Sequence, residues 1–218
     1  MKKIIFFSGN RAEISFQKKT IEFLKNKINY HFVVSGSHLK NDFGNSIKEI
    51  LKEDVKISDI LNIKHNTKSV KDLNPYSSLL YSKLSNIFKK NKFDAAFVFS
   101  DRFESFIFSI VAFLNQIPII HYEGGDTTEG GTYDDKIRNA ISQISNIHLV
   151  TNNLAEKKLI KFGIKKKKIS NVGLLSLHEN YDTKKKLFDV FLKKNNISKK
   201  TKFLLFTFHS IPSDKKKK

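Results

Sequence analysis

The residues best suited to chemistry in this sequence lie in the run Ile119-Ile120-His121-Tyr122-Glu123-Gly124-Gly125-Asp126. Read as the end of a strand, its period of two puts His121 and Glu123 on one face. Gly124 and Gly125 allow backbone to approach a ligand closely, or permit positive φ. A little further on, Thr132-Tyr133-Asp134-Asp135 precedes a helix that carries Arg138. Asp134 or Asp135 can simply cap that helix, and Asp134 with Arg138 makes a favourable i,i+4 pair. Earlier in the chain, Ser100-Asp101-Arg102-Phe103-Glu104 presents the same ambiguity. Ser100 or Asp101 can be an N-cap there, with Arg102 and Glu104 as surface charge. Several acids in one cleft raise one another's pKa values and suit proton abstraction and donation. A metal site from His121, Glu123 and Asp126 has no HExxH-like spacing behind it, so no metal is expected. His31, His38, His65, His148 and His178 read as packing or surface residues. Neither GxGxxG nor GxxxxGK[ST] occurs, so dinucleotide and P-loop readings have no motif.

These residues need elements to hold them, and the chain supplies an alternation. Strands are expected at Lys2 to Ser8, Tyr30 to Ser35, Phe93 to Phe99, Ile117 to Tyr122, Ile147 to Thr151 and Ile169 to Val172, with a weaker one at Val55 to Ile60. Amphipathic stripes predict helices over Ser15 to Lys27, Ser46 to Lys52, Tyr76 to Lys90, Arg102 to Asn115, Asp134 to Ser145, Asn153 to Phe162 and Lys184 to Lys194. Such βαβα order, with strands apolar on both faces, predicts an α/β fold whose parallel, Rossmann-like sheet is covered on both sides. Ligands in such sheets sit at the carboxyl ends of strands. Gly9-Asn10-Arg11, Ser100-Asp101-Arg102 and Glu123-Gly124-Gly125-Asp126 all fall there, so Asp101, Glu123 and Asp134/Asp135 should face one crevice. After Gly173 the pattern loosens into a plausible hinge, and Lys202 to Phe208 reads as one more apolar strand ending in His209. Residues 1–173 are thus expected to form one lobe and 174–218 the hinge and beginning of a second.

The composition narrows the class. The chain has 218 residues, 39% of them hydrophobic and 28% charged, enough to bury a core, and no apolar run long enough for a bilayer. With no cysteine, disulfides, thiolate zinc sites and Cys nucleophiles are excluded, and a cytoplasmic enzyme or binding domain is expected. Forty Lys+Arg against 21 Asp+Glu give a net charge of +19. The excess is Lys in solvated-looking runs, whereas Arg11, Arg102 and Arg138 are the only arginines. Base and phosphate readers favour bidentate Arg, so nucleic acid is not an expected partner.

Gly9-Asn10-Arg11-Ala12-Glu13, Ser100-Asp101-Arg102-Phe103-Glu104, His121-Tyr122-Glu123-Gly124-Gly125-Asp126 and Asp134-Asp135-Lys136-Ile137-Arg138-Asn139-Ala140-Ile141 occur in this order. The set resembles the hydrolysing UDP-N-acetylglucosamine 2-epimerases of sialic acid biosynthesis, and more broadly the non-hydrolysing bacterial 2-epimerases. The resemblance implies two Rossmann-like lobes in the glycosyltransferase-B arrangement, with substrate in the cleft between them. It implies conversion of UDP-N-acetylglucosamine to N-acetylmannosamine and UDP, with no metal or other cofactor. Residue by residue, Asp101, Glu123 and Asp134 match the family's catalytic carboxylates, with Asp135 adjacent, and His209 matches a histidine that opens the second lobe. Arg11 matches the arginine near the phosphates, and Arg102, Gly124, Gly125 and Arg138 join it as expected substrate contacts. Dimers or tetramers are also implied.

Two departures accompany the resemblance. His178 stands where hydrolysing members carry an acid, and the family's second lobe is expected to break off just after His209. Loss of its uridine and diphosphate contacts would forfeit the binding energy that holds UDP during chemistry. The alternatives are the same fold acting on GDP- or another NDP-sugar, a non-catalytic sugar-nucleotide or polyanion-binding domain, and a glycosyltransferase half-fold, which would not need clustered acids.

Overall fold

The computed structural model describes residues 1–40, 46–51, 55–63, 70–99, 101–128, 133–175, 181–202, 204 and 206. The strands are β1 (Lys3–Ser8), β2 (Asn29–Val34), β3 (Asp59–Ile60), β4 (Ala95–Phe99), β5 (Ile119–Tyr122), β6 (Ile147–Val150) and β7 (Ile169–Asn171). The helices are α1 (Arg11–Leu24), α2 (Ile47–Ile50), α3 (Val70–Lys90), α4 (Phe103–Leu114), α5 (Tyr133–Ile144), α6 (Asn153–Lys161) and α7 (Tyr181–Lys194). All seven strands form one parallel sheet in the order β3-β2-β1-β4-β5-β6-β7. The order reverses between β1 and β4, which makes their carboxyl ends the place where a doubly wound sheet leaves a crevice.

The sheet is buried on both faces because consecutive strand residues point opposite ways. Phe7 stacks on Phe108 of α4 at 5.3 Å, while Phe6 stacks beside Phe97 at 5.2 Å. Phe99, on the same side as Phe97, stacks on Phe16 of α1 at 5.1 Å. The larger core lies on the α3 and α4 side, where Leu80, Leu84, Phe88, Phe108 and Val111 pack on Ile5, Phe7 and Val98. Burial of these apolar side chains is the main stabilising term for such a sheet.

The backbone divides into two compact units, Met1–Leu174 and Leu175–Lys218. The first holds the whole sheet. The second holds α7, where Leu187, Val190 and Phe191 are exposed and Leu192 is buried.

Several boundaries differ from the sequence reading. The weak strand over Val55 to Ile60 contracts to Asp59–Ile60, because only that pair finds ladder partners on β2. Helix α1 starts at Arg11 rather than Ser15, since Asn10 caps it: its side chain accepts from the N–H groups of Ala12 at 2.8 Å and Glu13 at 3.3 Å. Helix α3 starts at Val70 and runs through Pro75. The expected strand at Lys202 to Phe208 lies largely outside the described residues, and Lys202, Leu204 and Phe206 within it are not in a strand.

Candidate functional site

The turn after β1 lies at the reversal of the sheet order. Asn10 and Glu13 form a reciprocal capping box. Glu13 is fully buried, and its Oε2 accepts the Gly9 N–H at 2.7 Å while Ser105 Oγ donates to Oε1 at 3.0 Å. Burial pushes Glu13 up to about 8, against the pull of the Gly9 hydrogen bond, with Glu104 adding to the rise. Gly36, after β2, has φ +66°, and a Cβ there would lie 2.3 Å from the Gly9 carbonyl oxygen. Two loops therefore meet backbone to backbone at this point, which only glycine at position 36 allows.

The segment after β4 supplies Asp101, Arg102 and Glu104. Glu104 is buried, contrary to its expected place as surface charge, because the first turn of α4 packs under the β1 turn. Burial raises its pKa and the Arg102 guanidinium opposes the rise. Arg102 is the N-cap residue of α4, with Nε 3.7 Å from Glu104 Oε2. Arg11 opens α1 at the exposed rim of the same edge.

Arg138 of α5 joins the next segments. Its Nη2 donates to Asp101 Oδ2, and its Nη1 donates to Asp135 Oδ1 at 2.7 Å and to the Asp126 carbonyl at 2.9 Å. Asp135 also accepts the Thr128 N–H at 3.0 Å, which ties the loop after β5 to α5. The expected i,i+4 pair of Asp134 with Arg138 is thus replaced by an i,i+3 pair with Asp135. Asp134 sits in the first turn of α5, half-buried, and its pKa is raised by burial and then by the Asp101 charge.

Glu123 follows β5 with φ 64°, a left-handed backbone at a non-glycine residue. That turn ends the period of two at Tyr122, so the strand rule pairing His121 with Glu123 on one face does not extend to Glu123. His121 is buried, with Nδ1 3.2 Å from Ser142 Oγ. Burial pushes Glu123 up to about 7; Asp126 and Asp101 add to the rise and Arg138 opposes it. The two glycines serve packing here. A Cβ on Gly124 would lie 3.0 Å from both His121 Nδ1 and Ser142 Oγ, and one on Gly125, at φ +83°, 2.5 Å from the Ala155 carbonyl. Asp126 is held by Thr151 Oγ1 at 2.8 Å and Asn152 Nδ2 at 3.0 Å, beside a cavity of about 410 Å³.

The structure therefore brings Asp101, Glu123, Asp134 and Asp135 within electrostatic reach of Arg138, and Asp134 also within reach of Arg102. His209, His178 and Ser100 lie outside the described residues. Among the described residues, no group of three or more His, Asp and Glu side chains could hold a metal ion, and no helix is long and apolar enough to cross a membrane. Sequence reasoning missed the buried pair Glu13 and Glu104. The Asn10-x-x-Glu13 spacing is a capping-box signal that could have found the first, whereas nothing local distinguishes Glu104 from a surface charge.

Comparison with known proteins completes the picture. The family model described as UDP-N-acetylglucosamine 2-epimerase matches residues 22–218. The chain is 32% identical over 177 residues to polysialic acid biosynthesis protein P7 of Escherichia coli, covering 80% of this chain and 45% of that protein. It is 28% identical over 218 residues to the hydrolysing UDP-N,N'-diacetylbacillosamine 2-epimerase of Legionella pneumophila, covering 97% of this chain and 56% of that protein. The fold matches the UDP-GlcNAc 2-epimerase of Neisseria meningitidis, solved with UDP-GlcNAc, at a TM-score of 0.71 and 22% identity, over 89% of this chain and 52% of that one. The chain spans about half the length of the curated relatives it matches. With the family model covering most of the sequence, and a parallel sheet of matching topology beneath it, the chain belongs to the UDP-N-acetylglucosamine 2-epimerase family.

Proposed function

We propose that this chain carries the acid–base face of a hydrolysing nucleotide-sugar 2-epimerase, which converts UDP-N-acetylglucosamine and water to N-acetylmannosamine and UDP. The observation that carries the reading is the gathering of Asp101, Glu123 and Asp134 around Arg138, with Glu123 pushed up to about 7 and Asp134 raised. A carboxyl group titrating near neutrality can both take and return a proton. The reaction needs both steps. A carboxylate removes the proton on sugar C2 as UDP leaves from C1, forming a glycal; water then adds at C1 and a proton is returned to C2 on the other face.

In this reading Asp101, Glu123 and Asp134 divide the base and acid roles, and Arg138 holds Asp101 in place. Asp135 has a structural part, since it is taken up by Arg138 and the Thr128 N–H. Arg11 and Arg102 face the phosphates, while Gly124 and Gly125 shape the loop that carries Glu123. His209 contributes from residues 174–218, which we assign to the beginning of a second, nucleotide-binding lobe, residues 1–173 forming the first. A cytoplasmic, homo-oligomeric enzyme without cofactor fits this chemistry. The Legionella relative, matched over nearly the whole chain, supports a second reading in which the sugar is UDP-N,N'-diacetylbacillosamine.

The test is incubation with each UDP-sugar, followed by NMR of the nucleotide and sugar. Free UDP with N-acetylmannosamine supports the first reading. The corresponding release from the diacetylated sugar alone supports the second. UDP-N-acetylmannosamine without free UDP would overturn hydrolysis.

A further inference from the structure

At the reversal of the sheet, Glu104 is a carboxylate with little freedom and one close cation. Its side chain is 5% exposed, and Oε2 has no hydrogen-bond partner. Gly9 closes directly onto its stem: a Cβ at Gly9 would lie 3.1 Å from Glu104 Cβ. The next residue, Ser105, donates to Glu13, and Glu13 accepts the Gly9 N–H. The first turn of α4 is thus pinned to the β1 turn, and Glu104 cannot swing outward.

A buried carboxylate oxygen without a hydrogen bond is costly unless a cation faces it. The positive charges acting on Glu104 are those of Arg102 and then Lys40; the acidic groups in the same network are Asp134 and Glu13, whose own proton is held more tightly by burial. Arg102 lies 3.7 Å away through Nε, and 44% of its side chain is exposed. It makes no side-chain cap to its own helix. With Nε turned to Glu104, the planar fork presents its η-nitrogens, the geometry that suits a phosphate.

We propose that Glu104 is a positioning residue for Arg102: its buried carboxylate tethers the guanidinium at the end of β4, aimed at an anionic group of the ligand. The nature of that ligand, a nucleoside diphosphate, rests on the function proposed above.

The chain has three arginines, so the Arg102 Nε–H signal is readily assigned in the 15N-labelled protein. Glu104→Gln, nearly isosteric, shifts that signal, whereas Glu104→Asp, which keeps the charge, leaves it nearer the wild-type position. By titration with UDP, Glu104→Gln and Arg102→Gln each weaken binding about 5–10-fold, and the double variant is no weaker than Arg102→Gln alone. Should Glu104→Gln fail to fold, Arg102→Gln decides the point from the other side, since removing the cation moves the carboxyl titration of Glu104 upward. An unchanged Arg102 signal in Glu104→Gln, an unchanged Glu104 titration in Arg102→Gln, or additive losses in the double variant would overturn the tether. A wild-type chain that takes up no UDP overturns a phosphate site formed by these residues on their own, while the Arg102 signal still decides the tether.

Discussion

Arg138 donates through Nη2 to Asp101, so helix α5 meets the segment after β4 across a charge pair in which the arginine side chain is 8% exposed and the aspartate 16%. The same guanidinium holds Asp135 and the Asp126 carbonyl. One side chain therefore fixes the segments after β4 and β5 relative to the start of α5, and with them the carboxylates they carry.

Removing that side chain strands two partly buried carboxylates. Arg138→Ala is expected to cost about 3–5 kcal/mol, as when a buried pair loses one partner. Urea unfolding of the two proteins measures it, and a loss below about 1 kcal/mol would show that the pairs are screened by water.

If Glu123 and Asp101 move protons, their amides cannot. Asp101→Asn and Glu123→Gln should each lower turnover of the UDP-sugar by about 10²-fold or more while leaving the fold intact. Circular dichroism and the NMR assay check both halves; near-normal turnover in both variants removes these residues from the chemistry.

Glu13 makes stability depend on pH in a defined direction. Its folded pKa, about 8, lies above its ordinary value of 4.5, so the native state binds the proton more tightly. That contribution is fully present below the unfolded pKa and is lost as pH rises through about 8. Glu13→Gln should therefore flatten the fall in stability between about pH 4.5 and 8. Thermal melts that fall equally steeply in both proteins would contradict this. His38 runs the other way: buried between Ser8 Oγ and Ser46 Oγ, it is lowered to about 4, so its contribution is lost as pH falls from about 6.5 toward 4.

Gly36 and Gly125 combine positive φ with backbone contact. An alanine Cβ would meet the Gly9 oxygen at 2.3 Å in one case and the Ala155 oxygen at 2.5 Å in the other. Each substitution to Ala should cost about 2–4 kcal/mol, strain and overpacking together. Gly163, also at positive φ but with open space around it, is the control. Gly163→Ala should cost only the strain, about 1–2 kcal/mol.

The alternation of apolar runs and amphipathic stripes marks most of the strands and helices, because strand and helix periods are local properties of the chain. Helix ends were less legible where two signals competed. Gly9-Asn10 reads as a turn, and it is one, but the Asn10 and Glu13 side chains also start α1 there. Pro75 punctuates the sequence, yet α3 runs through it because Tyr76, Leu80 and Leu84 beyond it are drawn into the core with the same helix.

The placement of Asp101, Glu123 and Asp134 at strand ends followed from residue order alone, since a parallel sheet of βα units puts every such loop on one edge. What residue order could not say is which charges are buried and which partners they choose. Glu104 and Arg102 are equally polar in the sequence, yet one is enclosed and the other half open. Arg138 has acids three and four residues before it and takes the nearer one together with Asp101. Both outcomes depend on β1 lying beside β4 and on α4 and α5 packing at their ends. Those neighbours are set by sheet order, and only there do burial and through-space charge select among contacts that local spacing leaves equivalent.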